Sequence, residues 1–275
     1  MRLGAPIFID TNDPAAWAAE HERLGYHAAY CPNIQIADAP RYAAAAREAG
    51  LVIAEVGAWC NPLAADETER KKALTLCQER LALADRVGAR CCVNIAGSRG
   101  AQWDGPHPDN LSPETFDSII ETTRAIIDAV RPMRSFYTLE TMPWVPPDSI
   151  ESYERLLKAM DRPFFGVHYD PVNLINSPER YFHNAAYTRE FIRRLGPLIR
   201  SVHAKDILLT PRLTVHLDEV LPGQGGLDYP VLLRELAALD PDLPLMCEHL
   251  PTPDDYGKAV GYIRGTAFAE GVALS

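Results

Sequence analysis

FFGVHYDPVNL, residues 164–174, opens as a buried strand and turns polar within a few residues. Phe165 and Val167 are apolar; His168, Asp170 and Asn173 follow. A carboxylate where a buried strand ends is costly unless something positive holds it. Side chains at i and i+2 of a strand share a face, so His168 and Asp170 are both expected to look into whatever the strand encloses. Three other stretches end in the same way: TLE at Glu140, VHAKD at His203 and LMCEHL at Glu248.

Working outward, apolar runs of strand length recur at residues 5–9, 27–31, 51–56, 89–95, 135–140, 164–170, 199–204 and 245–248, eight in all. Between them lie stretches with helical spacing, clearest at Leu74, Cys77, Leu81 and Ala84, at Phe116, Ile120, Thr123, Ile127 and Val130, and at Tyr229, Leu232, Leu236 and Leu239. Helix starts are signalled at Asp13-Pro14, Asp66, Ser112-Pro113-Glu114, Asp148 and Asp254-Asp255. Eight strand–helix units whose strands are apolar on both faces predict an α/β fold, a (β/α)8 barrel formed as one domain over residues 1–275. An open doubly wound sheet is the alternative, but no Gly-rich dinucleotide turn follows the first strand. The returns from helix to strand are short and carry Gly or Pro. The strand-to-helix connections are long and polar, notably residues 96–111 and 206–227, on the side where barrels carry their chemistry.

The 275 residues are enough for a large core and carry a net charge of -10. That charge argues against nucleic acid or an anionic membrane as partner. Six cysteines without a C-x-x-C pair read as buried free thiols suited to a reducing cytoplasm. No apolar run approaches the roughly 20 residues that span a bilayer.

Glu140, Asp170, His203 and Glu248 fall at the ends of the fifth to eighth strands, neighbours around a barrel rim. Taken singly, each acid reads equally well as a helix cap or a surface ion pair. Taken together, three carboxylates at close quarters would repel one another unless a cation sat among them. Three oxygen donors and one imidazole suit one divalent ion, Mn2+ first and Co2+, Mg2+ or Zn2+ as alternatives.

LETMPW, HYDPVNL, VHAKD, LPGQGGLDYPVLLREL and the closing EHL resemble the xylose-isomerase-like barrels, the superfamily of sugar isomerases and epimerases that also holds dehydratases and endonucleases acting at abasic sites. The resemblance implies that these four residues bind one divalent metal and that Glu140 and Glu248 serve as acid and base. It departs at Asn173, where ketose epimerases usually have a histidine. That departure and the acidic net charge speak against the endonuclease branch, whose extra histidines hold three zinc ions.

The chemistry expected of such a site is proton transfer next to a carbonyl of a keto-sugar, polyol or inosose through an enediolate. Loss of a β-hydroxyl would instead make the protein a lyase or dehydratase on a 3-keto-glycoside or inosose. A metal-free barrel acting as a binding protein or subunit is the non-enzymatic alternative, against which both glutamates weigh. For substrate contacts the sequence offers His168, Asn173, Lys205, Trp59 and Asn94, with Asn61, Trp103 and His107 on the same rim. Each also reads as a core or loop residue, and Lys205 as the partner of Asp206. His249 should point away from Glu248 if its strand is regular. The turn at residues 223–226 reads as a tight helix entry rather than a phosphate cradle. Barrels of this type often associate through their catalytic face, so a homo-oligomer is compatible with the sequence.

Overall fold

The computed structural model describes residues 1–275. Eight parallel strands close on themselves: β1 (Arg2–Gly4), β2 (Ala28–Tyr30), β3 (Val52–Gly57), β4 (Cys91–Asn94), β5 (Phe136–Glu140), β6 (Phe165–Tyr169), β7 (Ile199–Ala204) and, after a hairpin β8 (Asp206–Thr210) and β9 (His216–Val220), β10 (Pro244–Cys247). They pair in chain order around the ring, and β10 pairs with β1 to close it. The expected (β/α)8 barrel is therefore the fold, and the open sheet is excluded.

Nine helices surround it: α1 (Pro14–Leu24), α2 (Ala39–Glu48), α3 (Glu67–Val87), α4 (Pro113–Val130), α5 (Ile150–Met160), α6 (Pro178–Phe182), α7 (Asn184–Leu195), α8 (Tyr229–Ala237) and α9 (Pro253–Ala269). Their starts follow local capping chemistry. Asp13, Asp66 and Ser112 accept backbone N–H groups of their own first turns. At α5 and α9 the caps are Ser149 and Thr252 rather than the nearby aspartates, because a hydroxyl there reaches the third residue of the helix.

Two segments differ from the sequence reading. The first strand lies at Arg2–Gly4, not at residues 5–9. Pro6 has no N–H to give a ladder, and the chain beyond Gly4 instead turns across the barrel mouth, where Ala5, Pro6 and Ile7 wall a cavity. The second is the long connection after β7, which contains the antiparallel hairpin β8–β9. Its following glycine turn is a tight helix entry as expected. The Asp206 carboxylate accepts the N–H groups of Ile207, Gly223, Gly225 and Leu227, so those donors are already engaged.

The apolar core lies between barrel and helices, and the lower barrel interior is filled by small residues around Met246. Gly4 marks how tightly β1 and β2 approach: a Cβ there would sit 2.2 Å from the Ala28 carbonyl oxygen and 2.8 Å from Met246 Cε. Gly4→Ala is therefore expected to destabilise the fold by about 1–3 kcal/mol, since backbone cannot yield as a side chain does. Urea unfolding reads this directly, and an unchanged midpoint would mean that the barrel relaxes there at no cost.

Candidate active site at the barrel mouth

The four strand-end residues converge. Glu140 ends β5, Asp170 follows β6, His203 lies on β7 and Glu248 follows β10. Their donor atoms all lie within 4.8 Å of one another. His203 Nδ1 faces the acids, 2.8 Å from Glu248 Oε1, 3.3 Å from Glu140 Oε1 and 4.0 Å from Asp170 Oδ2. Each side chain lies within a residue or so of the C-terminal end of its strand, where the barrel's parallel strands open onto one face.

Lys205 is two residues beyond His203 and so shares its inward face. Its ammonium lies 2.5 Å from Glu248 Oε1 and 2.7 Å from Asp170 Oδ2, so its partners are these acids and not Asp206. Asn173 Nδ2 donates to Glu140 Oε1 at 3.1 Å. The backbone N–H groups of Val172 and Asn173 donate to Asp170 Oδ1.

These groups perturb one another. Burial would lower His203, but Glu248, Glu55 and Glu140 hold it well above the usual imidazole range. Burial likewise opposes the charge on Lys205, and Asp170, Glu248 and Glu140 raise it well above its ordinary value. Glu140 and Glu248 are pushed up by burial, yet His203 and Lys205 bring both below the ordinary carboxylate range. At Asp170, burial and the two glutamates outweigh the adjacent ammonium, and its carboxyl is pushed up to about 7.

One central residue was not singled out from the sequence. Glu55, on β3, is buried beneath the four and grips two histidines: His203 Nε2 lies 3.1 Å from Oε1 and His168 Nε2 2.9 Å from Oε2. The signal was a lone acid inside the apolar strand VIAEVG. Its bond takes up one nitrogen of His203 and leaves the other aimed at the three acids.

The remaining candidates divide. Trp59, Trp103, Asn173 and Lys205 line the same cavity of about 610 Å³ as Glu140 and Glu248. His168 does not; it is fully buried one layer below, on Glu55. Nor does Asn94, whose buried amide binds Cys60 and Ile95 and braces a loop. Asn61 ties the β3 and β4 loops together through Ser98, and His107 caps the 3-10 turn at Pro108–Leu111. Neither reaches the cavity, because their polar atoms close local turns.

His249 is a correction. It was expected to point away, but its backbone is left-handed, φ 57°, and its side chain joins the cavity wall. A non-glycine residue in that region is strained unless the surroundings hold it. Here Glu219, brought by β9, lies 3.2 Å from its Nδ1.

A divalent ion suits this donor set. Asp170 Oδ2 and Glu248 Oε1 are buried and have no well-aligned hydrogen bond, so that only the charges of Lys205 and His203 beside them offset their burial, and a cation among the four would relieve it. The four donors converge, and Glu55 orients His203 from behind in the manner of the partners that set metal-binding imidazoles. All six cysteines are free, and no helix is long and apolar enough to cross a membrane.

Among solved structures, the chain is similar to D-psicose 3-epimerase with D-tagatose from Clostridium cellulolyticum H10, at 13% identity and TM-score 0.71, covering 100% of both chains. It is similar to 3-keto-D-glucoside 4-epimerase from E. coli, at 16% identity and TM-score 0.68, covering 96% of this chain and 99% of that one. A probable 3-DHS dehydratase from Bacillus anthracis has 14% identity and TM-score 0.70, with 98% of both chains covered. At these identities the likeness speaks for the fold. No curated protein matches by sequence. A family model described as xylose isomerase-like TIM barrel matches residues 18–266, nearly the whole barrel, and the chain belongs to that family.

Proposed function

We propose that this protein is a divalent-metal-dependent isomerase or epimerase of a keto-sugar, polyol or inosose, moving a proton on a carbon next to a carbonyl. One observation carries the reading: two carboxylates, Glu140 and Glu248, meet on one imidazole nitrogen at the floor of a cavity large enough for a sugar. Glu140, Asp170, His203 and Glu248 would hold the ion, with Mn2+ the first choice for three oxygens and one imidazole. When bound, it polarises a carbonyl oxygen and steadies the negative charge that appears when the adjacent C–H ionises.

The chain's own side chains do the rest. Glu140 and Glu248 are held ionised by His203 and Lys205 in the metal-free protein, and with an ion in place of the His203 proton they would stay ionised, so either could accept a proton from carbon. Glu140 is aimed by Asn173, which fixes one of its oxygens and leaves the other for substrate. Lys205 offsets the crowded negative charge. Met142 and Ile95 add apolar wall to the same cavity, which shields the substrate anion from side reactions with bulk water.

The test is deuterium uptake from solvent by keto-sugars and inososes with added Mn2+, Co2+ or Mg2+. Metal-dependent uptake at carbon without loss of water is expected. No uptake by any member of the set would overturn the reading. A second reading, β-elimination, is favoured by His249, which Glu219 holds at the cavity wall beside Glu248, where a departing hydroxyl would need a proton. Release of water with an unsaturated product would select it.

Binding of the ion should release protons. In the metal-free protein His203 is raised and therefore protonated at pH 7, and Asp170, at about 7, is protonated in part. An ion needs both without their protons, so binding at pH 7 is expected to release between about one and two protons, and affinity should rise with pH until they are gone. Calorimetry in buffers of different ionisation enthalpy measures the number. Zero release would show that these two side chains are not ligands.

A further inference from the structure

The cavity at the barrel mouth has two halves of opposite chemistry. Most of the polar groups come from the last four staves and their loops, Glu140, Asn173, Lys205, Glu219, Glu248 and His249, while Thr11 and His21 of the first strand–helix unit add two more. The other half comes from the ends of β1 to β4, where Pro6, Ile7, Tyr30, Pro32, Trp59 and Trp103 form the wall. Asp104 is the only carboxylate there, and no lysine or arginine joins it.

Size adds to this. A hexose occupies about the volume of six waters, roughly 180 Å³ at about 30 Å³ each. The cavity holds about 610 Å³, so a seated sugar leaves more than half of it unfilled.

The apolar half is also built rather than incidental. Trp59 and Trp103 keep 44% and 37% of their surfaces exposed, though large aromatics gain most from burial. Trp59 packs so closely over Gly57 that a Cβ there would lie 2.4 Å from its indole nitrogen. Trp103 stands on a loop pinned by Ser98 and Asn110, which both donate to the Gly105 carbonyl, and by Trp144, which donates to the Asp104 carbonyl. Rings held in place before binding lose little entropy on contact.

Charge decides what this aromatic wall would take. Lys205, the one lysine or arginine lining the cavity, is engaged by Asp170 and Glu248, His249 is engaged by Glu219, and Asp104 would repel an anionic tail. We infer that the substrate is a two-part molecule, a keto-glycoside whose sugar ring lies against Glu140 and Glu248 and whose uncharged, flat aromatic substituent lies against Trp59 and Trp103. The inference rests on the chemistry proposed above and narrows its substrate class.

The experiment uses the Mn2+-loaded protein and two probes, phenyl 3-keto-β-D-glucopyranoside and methyl 3-keto-β-D-glucopyranoside. Calorimetry is expected to show the phenyl compound binding about tenfold or more tightly than the methyl one. Trp59→Ala and Trp103→Ala, made separately so that one folded variant suffices, should each bring that ratio toward one. Equal affinities in the unaltered protein, no binding of either probe, or a ratio unchanged in both variants overturns the inference. Deuterium uptake separates its failure from that of the chemistry: metal-dependent uptake into the methyl compound, with an affinity ratio of one, leaves proton transfer standing and removes only the aromatic substituent.

Discussion

Glu140→Gln and Glu248→Gln are each expected to lower the rate of deuterium uptake by about 10²–10⁴-fold, the usual contribution of a positioned acid or base. Glutamine keeps the shape and an oxygen donor but cannot take a proton from carbon. The effect belongs in kcat, since the substrate still meets the same walls. Both residues are also proposed ligands, so metal content must be measured beside the rate. A variant that retains its ion and loses exchange identifies an acid or base; one that loses both identifies a ligand. If either variant keeps its ion and exchanges within about tenfold of the unaltered rate, that residue is not the group that moves the proton.

Glu55→Gln should weaken metal binding by about 10–100-fold without touching the ion's donors, the range found when partners behind metal-binding histidines are removed. The carboxylate accepts from His203 and His168 at once. An amide has one oxygen and one N–H₂, so it can satisfy only one ring in the present arrangement and must face the other with a donor. If that ring is His203, its remaining proton is driven to the nitrogen that faces the acids. Glu55→Leu goes further by leaving the buried His203 charge without that partner, and about 3–5 kcal/mol of stability should be lost. Calorimetric metal titration and urea unfolding of the metal-free protein read the two effects. Metal affinity within twofold of the unaltered protein in Glu55→Gln would reduce Glu55 to a packing residue.

The fold was legible because its signals are local. Each strand is a short apolar run, each helix has a spacing and a cap, and the change from apolar to polar at residues 140, 170, 203 and 248 lies within single segments. The hairpin β8–β9 was less legible, since HLDEV is polar and mostly exposed and reads as loop until its partner strand is known. Glu55 was illegible as a partner because its histidines lie 113 and 148 residues away, and nothing in VIAEVG points to them.

By itself the sequence determined the eight-stave barrel and the four side chains that meet at its mouth, because periodicity, caps and strand ends are properties of neighbouring residues, and parallel staves all end on the same face of the barrel. Closure of the ring decided the rest. It set β3 across from β6 and β7, so that Glu55 reaches two histidines, it turned His249 inward on a left-handed backbone held by Glu219, and it gathered the first four staves' aromatic loops opposite the acids. Those relations depend on distances across the barrel interior, which packing fixes and no local pattern encodes.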